Sequence, residues 1–212
     1  MINVGGTKVA SLLPNRLVTT RGKKNPCTLY LTFDDGPHPV YTLPICELLD
    51  AFSIKATFFC IGKNLEKYPE LALRLLDQGH LIANHSDTHS NFGAQPFING
   101  INEANECQSK IHKLDPGCSK IFRAPKGELS ISLMVGLFIR RWNIVHWSYD
   151  SLDYKQSSID EQLEVFKKRQ VKGGDIILFH DDNQLAIEIL NNLLPKWIAS
   201  GFKFDTVQDI WT

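Results

Sequence analysis

Short β-branched apolar runs alternate with longer amphipathic stretches along almost the whole chain, and this alternation narrows the fold more than any other feature. The runs are Thr28–Phe33, Lys55–Ile61, His80–Asn84, Lys120–Arg123, Asn143–Tyr149, Asp175–Phe179 and Phe202–Thr206. Between them the spacing predicts helices over Leu43–Phe52, Pro69–Gln78, Phe97–Leu114, Ser130–Arg140, Ser158–Gln170 and Gln184–Ser200. Leu71, Leu75 and Leu76 share one face of the second, which stops at Gly79. Ser158 opens a Ser-x-x-Glu capping box with Glu161. Strands alternating with helices imply a parallel sheet with helices outside it. Seven strands are few for a complete eight-stranded barrel and many for a small open sheet.

The 212 residues suit one domain, with no internal repeat and no linker. A formal net charge of zero argues against a nucleic-acid binder, which needs a basic surplus or stripe. No apolar run reaches the roughly 18–20 residues that span a bilayer. The opening stretch, MINVGGTKVASLLPNRLV, lacks the basic-then-apolar layout of a secretory signal, so a cytoplasmic location is expected. The five cysteines, Cys27, Cys46, Cys60, Cys107 and Cys118, are odd in number and contain no C-x-x-C pair. They read as unpaired thiols of a reducing compartment, with Cys46 and Cys60 as small core residues.

The first 33 residues carry Lys8, Arg16, Arg21, Lys23 and Lys24 and no acid. Two readings stand. One is a lead-in segment packed across the barrel. The other is a basic strip, apolar at Val9, Leu12, Leu13, Leu17 and Val18, that rests peripherally on an anionic membrane. Pro14 would break a helix there.

Polar residues capable of chemistry sit where the runs end. The first run leads into Asp34-Asp35-Gly36-Pro37, two carboxylates at the carboxyl end of a strand, where α/β enzymes place their sites. Adjacent side chains on a strand diverge, so one can ligate a metal while the other meets a water. The third run leads into His85-Ser86-Asp87-Thr88-His89. If that segment is helical, histidines at i and i+4 share a face and can meet one cation. An Asp and two His leave coordination positions open, as in a catalytic metal site. The fourth run delivers Arg123-Ala124-Pro125-Lys126-Gly127, the fifth Trp147-Ser148-Tyr149-Asp150-Ser151-Leu152-Asp153-Tyr154, and the sixth His180-Asp181-Asp182. In a parallel barrel these ends converge on one mouth.

The ordered set T-F-D-D-G-P, N-H-S-x-x-H, F-R-A-P, W-x-x-D-S-x-D and I-I-L-F-H-D resembles carbohydrate esterase family four, the NodB-like polysaccharide deacetylases. The resemblance runs from about Thr28 to Thr206. It implies a distorted, incomplete (β/α)7-type barrel, with residues 1–27 as lead-in and 28–212 as the catalytic domain. It implies one divalent ion, zinc before cobalt or another, on Asp35, His85 and His89. Asp34 matches the general base, His180 the general acid, Arg123 the residue that orients the base, and Asp153 the partner of the acid. Lys126 stands where many members have an aromatic residue, and Tyr154 where a Trp is frequent. Both departures bear on the substrate groove.

The chemistry that follows is hydrolysis of an acyl group on a sugar. Asp34 takes a proton from water, the oxyanion meets the ion and a backbone N–H after Pro125, at Lys126, and His180 protonates the leaving amine. Trp147 and Tyr154 belong to the substrate groove. Ser86 and Ser148 are read as structural, with a serine nucleophile as the rival mechanism. The remaining histidines, His38, His80, His112 and His146, have no role assigned. The expected substrate is an N-acetylhexosamine in an oligosaccharide, polysaccharide or glycolipid precursor. O-deacetylation of a glycan, deformylation of a lipid-linked amino sugar, and an inactive sugar-binding module are the alternatives. No protein partner is expected.

Overall fold

The computed structural model describes Pro14 and residues 17–22, 26–92, 96–155 and 157–211. Its strands are β1 (Thr28–Asp34), β2 (Thr57–Cys60), β3 (Leu81–Asn84), β4 (Ile121–Phe122), β5 (Asn143–Ile144), β6 (Tyr149–Asp150), β7 (Ile176–His180) and β8 (Lys203–Phe204). Every named pair is parallel, in the order β5-β4-β3-β2-β1-β7-β6. β8 joins the amino-terminal end of β1 at Thr28 and Leu29, while β2 pairs with its carboxyl end from Thr32 to Asp34. The result is a curled half-barrel. Its helices are α1 (Thr42–Ala51), α2 (Gly62–Lys67), α3 (Pro69–Asp77), α4 (Phe97–Leu114), α5 (Ile131–Ile139), α6 (Ile159–Lys168) and α7 (Gln184–Ala199).

The fifth apolar run is where the structure departs from the expected pattern. Asn143–Tyr149 is not one strand but two, and they lie on opposite edges of the arc. Residues 145–148 cross the open side of the barrel between them. An uninterrupted strand cannot do that, because β5 hydrogen-bonds to β4 and β6 to β7. The gap is partly filled from the lead-in segment. Thr19 bridges Val145 in parallel, with its N–H on Ile144 O at 2.8 Å and its O accepting His146 N–H at 2.8 Å. Arg21 bridges Asp175 in antiparallel sense. Lys8, Val9, Leu12, Leu13, Arg16, Lys23 and Lys24 lie outside the described residues.

Two smaller differences have simple causes. Helix α2 is six residues long, too short to display a helical period in sequence. The last strand shrinks from Phe202–Thr206 to Lys203–Phe204 because only the amino-terminal end of β1 is available to it. The capping box is present: Ser158 accepts from Glu161 N–H, and the Glu161 side chain accepts from Ser158 N–H at 2.9 Å.

β1 is buried along its whole length, as a central parallel strand covered on both faces must be. Phe33 stacks on Phe58 at 4.8 Å and on Phe179 at 5.9 Å between centroids, which locks β1, β2 and β7 into one platform. Cys46 and Cys60 lie in this core. Among the described residues no disulfide forms and no helix is long and apolar enough to cross a membrane.

Candidate active site

The carboxyl ends of the strands bring the chemistry together. In the parallel register of β1 and β7, Asp34 and His180 are direct cross-strand partners. Asp35 follows in the left-handed region at φ 77°, which turns its side chain away from that of Asp34. The turn after it has no room for a side chain at Gly36, where a Cβ would lie 2.1 Å from Asp181 Oδ2. Asp181 is fully buried and accepts from Thr42 Oγ1 at 2.5 Å, and Thr42 Oγ1 in turn accepts from His38 N–H at 2.6 Å. Burial raises the Asp181 carboxyl to about 7.

The two histidines of the third run meet without a helix. Ser86 and His89 both take positive φ, 68° and 55°, and form an irregular turn. Asn84 Oδ1 accepts from Ser86 N–H at 3.0 Å, and Ser86 Oγ accepts from His89 N–H at 3.0 Å. Ser86 is thus a buried turn-former. Ser148 donates to Asp175 Oδ1 at 2.6 Å, where it fastens β6 to the start of β7.

Asp35, His85 and His89 converge. His89 Nε2 lies 3.1 Å and His85 Nε2 3.4 Å from Asp35 Oδ1. Bonds of about 2.0–2.1 Å to a tetrahedral ion place neighbouring donor atoms about 3.3–3.4 Å apart, so the spacing fits a divalent metal. The group behind His85 fits as well. His85 Nδ1 lies 2.9 Å from Arg123 O, which holds Nε2 towards Asp35. Burial works against the Asp35 charge, but the hydrogen bond with His85 and the fields of His85, His89 and His180 hold its carboxyl at about 2. It is therefore an anionic ligand at any ordinary pH. Burial, its largest influence, lowers the His89 pKa and favours the neutral ring that a metal requires.

Asp34 is held from behind. Arg123, which is fully buried, donates from Nη1 to Asp34 Oδ1 at 2.6 Å and to Thr32 Oγ1 at 2.8 Å. Its guanidinium lies over the Phe59 ring at 4.0 Å. The second oxygen, Asp34 Oδ2, stands 3.6 Å from His85 Nε2 and faces the triad. His180 is held just as firmly. Asp153 accepts from its N–H at 2.7 Å and pairs with its Nδ1 at 2.9 Å. Burial lowers the imidazole pKa, yet the hydrogen bond and charge of Asp153, with Asp34 and Asp35 beyond, raise it to about 10.

A cavity of ≈ 360 Å³ joins these groups and is lined by Asp34, Asp35, His85, His89, Lys126 and His180, with Trp147, Asp150, Tyr154 and Leu178 around them. Arg123, Pro125 and Asp153 stand behind it. Lys126 takes φ 55° in the short 3-10 turn Pro125–Gly127 and makes no ion pair among the described residues. Such a left-handed residue costs roughly 1–2 kcal/mol outside glycine. Gly127 closes the turn at φ 66°, where a Cβ would meet the Trp147 ring at 2.6 Å. Tyr154 sets its ring edge against His180 at 5.4 Å.

Thr32, Asn84, Asp150 and Asp181 belong to the site or its support although the sequence assigns them no role. Thr32 could have been found, because it lies two residues before Asp34 and so shares its face of β1. Of the histidines without a role, His80 accepts from Ala56 N–H at 3.2 Å and packs on Phe58 at 5.3 Å, as a core histidine. His38 stacks on Tyr41 at 5.1 Å beside the mouth.

A parallel half-barrel with an Asp-His-His triad, a carboxylate and a paired imidazole at its mouth defines a hydrolase of acyl groups. Comparison with known proteins gives the family. The polysaccharide deacetylase family model matches residues 21–134, more than half of the chain. A chitooligosaccharide deacetylase of Sinorhizobium fredii is 35% identical over 189 residues, covering 82% of this chain and 87% of the relative. A peptidoglycan-N-acetylglucosamine deacetylase of Bacillus cereus is 30% identical over 207 residues, covering 94% and 95%. The crystal structure of a peptidoglycan N-acetylglucosamine deacetylase in complex with a hydroxamate-type benzamide superposes with a TM-score of 0.86 at 28% identity, covering 92% of each chain. The chain belongs to the polysaccharide deacetylase family, whose members are metal-dependent hydrolases of the carbohydrate esterase four type.

Proposed function

We propose that this protein removes the acetyl group from the nitrogen of an N-acetylhexosamine, within an oligosaccharide, polysaccharide or glycolipid precursor, using a zinc ion on Asp35, His85 and His89. Three borderline-to-hard donors with open positions beside them suit zinc, and cobalt has similar demands. A bound ion of this kind supplies Lewis acidity to an acyl carbonyl and lowers the pKa of a water.

The chain's own groups do the rest. Asp34 Oδ2, the oxygen not engaged by Arg123, is the base that receives a water proton. Arg123 fixes the other oxygen and so the direction of the free one. His180 Nδ1 is committed to Asp153, which leaves Nε2 to give a proton to the leaving nitrogen. The turn at Pro125 and Lys126 presents backbone to the developing oxyanion. Trp147 and Tyr154 offer aromatic surface to a sugar ring. The observation that carries this reading is the cross-strand pairing of Asp34 with His180 in the cavity that also holds the triad.

An N-acetyl substrate fits better than an O-acetyl one because an amine leaves poorly without a proton, and His180 is built to hold one. The test is incubation of metal-loaded protein with N-acetylated chitooligosaccharides and with acetylated xylan, followed by assay of acetate and of free amine. Acetate with an equal yield of amine supports the reading. Acetate from xylan alone would replace it with the O-esterase.

A peripheral contact of the basic lead-in segment with an anionic membrane is part of the proposal. Lys8, Arg16, Lys23 and Lys24 in a stretch without acids support it. Binding to anionic vesicles that is lost at high salt would be its signature.

A further inference from the structure

Arg123 has two edges, and only one of them is accounted for by the site. Nη1 makes both of its side-chain hydrogen bonds, to Asp34 and Thr32. Nε and Nη2 are buried and meet no acceptor among the described residues. Phe59 at 4.0 Å and Trp147 at 5.7 Å confine the plane of the guanidinium. Neither ring resists rotation within that plane, and two bonds to a single nitrogen resist it weakly. Yet rotation in the plane is what would swing Nη1 away from Asp34 Oδ1.

A second buried polar group borders the same cavity as Arg123. His146 is 5% exposed, and neither of its ring nitrogens has a partner among the described residues. Its place is set by its backbone, whose N–H donates to Thr19 O at 2.8 Å in the crossing between β5 and β6. Its ring is set by Trp147, edge-on at 3.9 Å, and by Gly127, where any Cβ would stand 3.0 Å from His146 Cε1. Burial, and then the charge of Arg123, drive its pKa down to about 3, so the ring is neutral and keeps one nitrogen as an acceptor.

The two residues share a cavity. It measures ≈ 20 Å³ and is lined by Arg123 and His146 with Val18, Ala124, Leu129 and Ile144 among its apolar walls. A water needs about 10–15 Å³ on this measure and two to four polar partners; the volume suffices, and Arg123 and His146 are the polar side chains on its wall. A buried guanidinium edge left without acceptors is costly enough that such groups are almost always bridged.

We propose that His146 is a positioning residue for the deacetylation: through one buried water it accepts the hydrogen bonds of the outer edge of Arg123, and thereby fixes the inner edge that aims Asp34. The proposal rests on the role given above to Asp34, and its first test does not depend on that role. A crystal structure of the unaltered protein, at a resolution that shows bound water, is expected to place one ordered water within hydrogen-bond distance of both a His146 ring nitrogen and Arg123 Nε or Nη2. A dry cavity, or a water touching only one of them, overturns the bridge.

The second test is functional. His146→Leu keeps the volume and removes the acceptor, while His146→Gln keeps an acceptor. His146→Leu is expected to lose about tenfold or more in kcat with KM within about twofold, since Asp34 acts on water and does not bind the sugar. Metal content is expected to stay at the level of the parent. His146→Gln is expected to recover most of kcat. Equal kcat in His146→Leu and parent, or equal losses in the Leu and Gln variants, would show that packing alone explains the residue. If the parent itself proves inactive on every acetylated sugar while the water is present, the functional reading fails and the structural bridge stands.

Discussion

Arg123 reaches Asp34 through a single nitrogen, Nη1, at 2.6 Å from Oδ1, and both residues are buried. The pair couples β4, through the residue that follows it, to the last residue of β1. The oxygen it leaves open is the one that faces the metal triad. Asp34 is therefore aimed by a charge it is also neutralised by, and the two effects can be separated.

Arg123→Leu leaves a carboxylate with little water and without its hydrogen-bonded counter-charge, a change that typically costs about 3–5 kcal/mol when the pair is fully buried. Asp34 borders the open cavity, so about 2–3 kcal/mol is expected here, read by urea unfolding. Arg123→Leu made in an Asp34→Asn background is expected to cost clearly less, because no charge is stranded. The same loss in both backgrounds would mean that Arg123 acts by packing on Phe59 and Trp147, and not through Asp34.

Metal binding has a readout in stability as well as in turnover. An ion that binds only the folded chain adds about 2.7 kcal/mol at a hundredfold excess over its dissociation constant. For a domain of this size that is about 5–10 °C in Tm. Chelation is expected to lower Tm by that much and to abolish activity, with zinc or cobalt restoring both. His89→Ala is expected to lose the ion, whereas Asp34→Asn is expected to keep it and lose turnover. Metal analysis after gel filtration distinguishes them, and an Asp34→Asn protein without metal would place Asp34 among the ligands.

Lys126 separates side chain from backbone in the turn beside the triad. The residue lines the cavity, while its backbone conformation is held by Pro125 and by the packing of Gly127 on Trp147. Lys126→Ala is expected to change KM several-fold with kcat within about twofold, since only ground-state contact is lost. Gly127→Ala is expected to lower kcat about tenfold or more, because a Cβ 2.6 Å from the Trp147 ring must displace the turn. Equal kcat in Gly127→Ala and parent would remove this turn from the chemistry.

The residues of the mouth were legible in sequence because each stands at an abrupt change from apolar to polar. Asp34, His85, Arg123 and His180 all follow apolar runs that end in strands, and parallel strands deliver their carboxyl ends to one side. The crossing at residues 145–148 was not legible. Ile144-Val145-His146-Trp147 reads as a continuous strand, and nothing local reports that its two halves belong to opposite edges. The bridges of Thr19 and Arg21 were hidden for a related reason, since one-residue pairings leave no period. The histidine pair was expected to meet on a helix if the segment were helical. Positive φ at Ser86 and His89, neither of them glycine, brought the rings together by another route. Asp181 was hidden because its burial depends on Gly36 and Thr42, which are distant in sequence.

The acid gives the sharpest prediction. Asp153 holds both the N–H and the Nδ1 of His180, and the imidazole pKa rises from the ordinary 6.5 to about 10. A raised pKa on a cationic acid keeps the proton in place below that value and loses it above, so turnover falls as pH rises through it. A dication on Asp35 offsets the acidic field of Asp34 and Asp35, so in the loaded enzyme the falling limb is expected between these two values. Asp153→Asn removes the largest favourable influence on the charged ring, and the limb is expected to move to lower pH. His180→Ala is expected to cost about 10²–10⁴-fold in kcat on an N-acetyl substrate. On an activated aryl acetate, whose leaving group needs no proton, the loss is expected to be far smaller. The measurement is a set of pH–rate profiles on both substrates for the parent, Asp153→Asn and His180→Ala. Equal losses of His180→Ala on amide and activated ester would show that His180 does not protonate the leaving group, and an unmoved limb in Asp153→Asn would assign that limb to another residue.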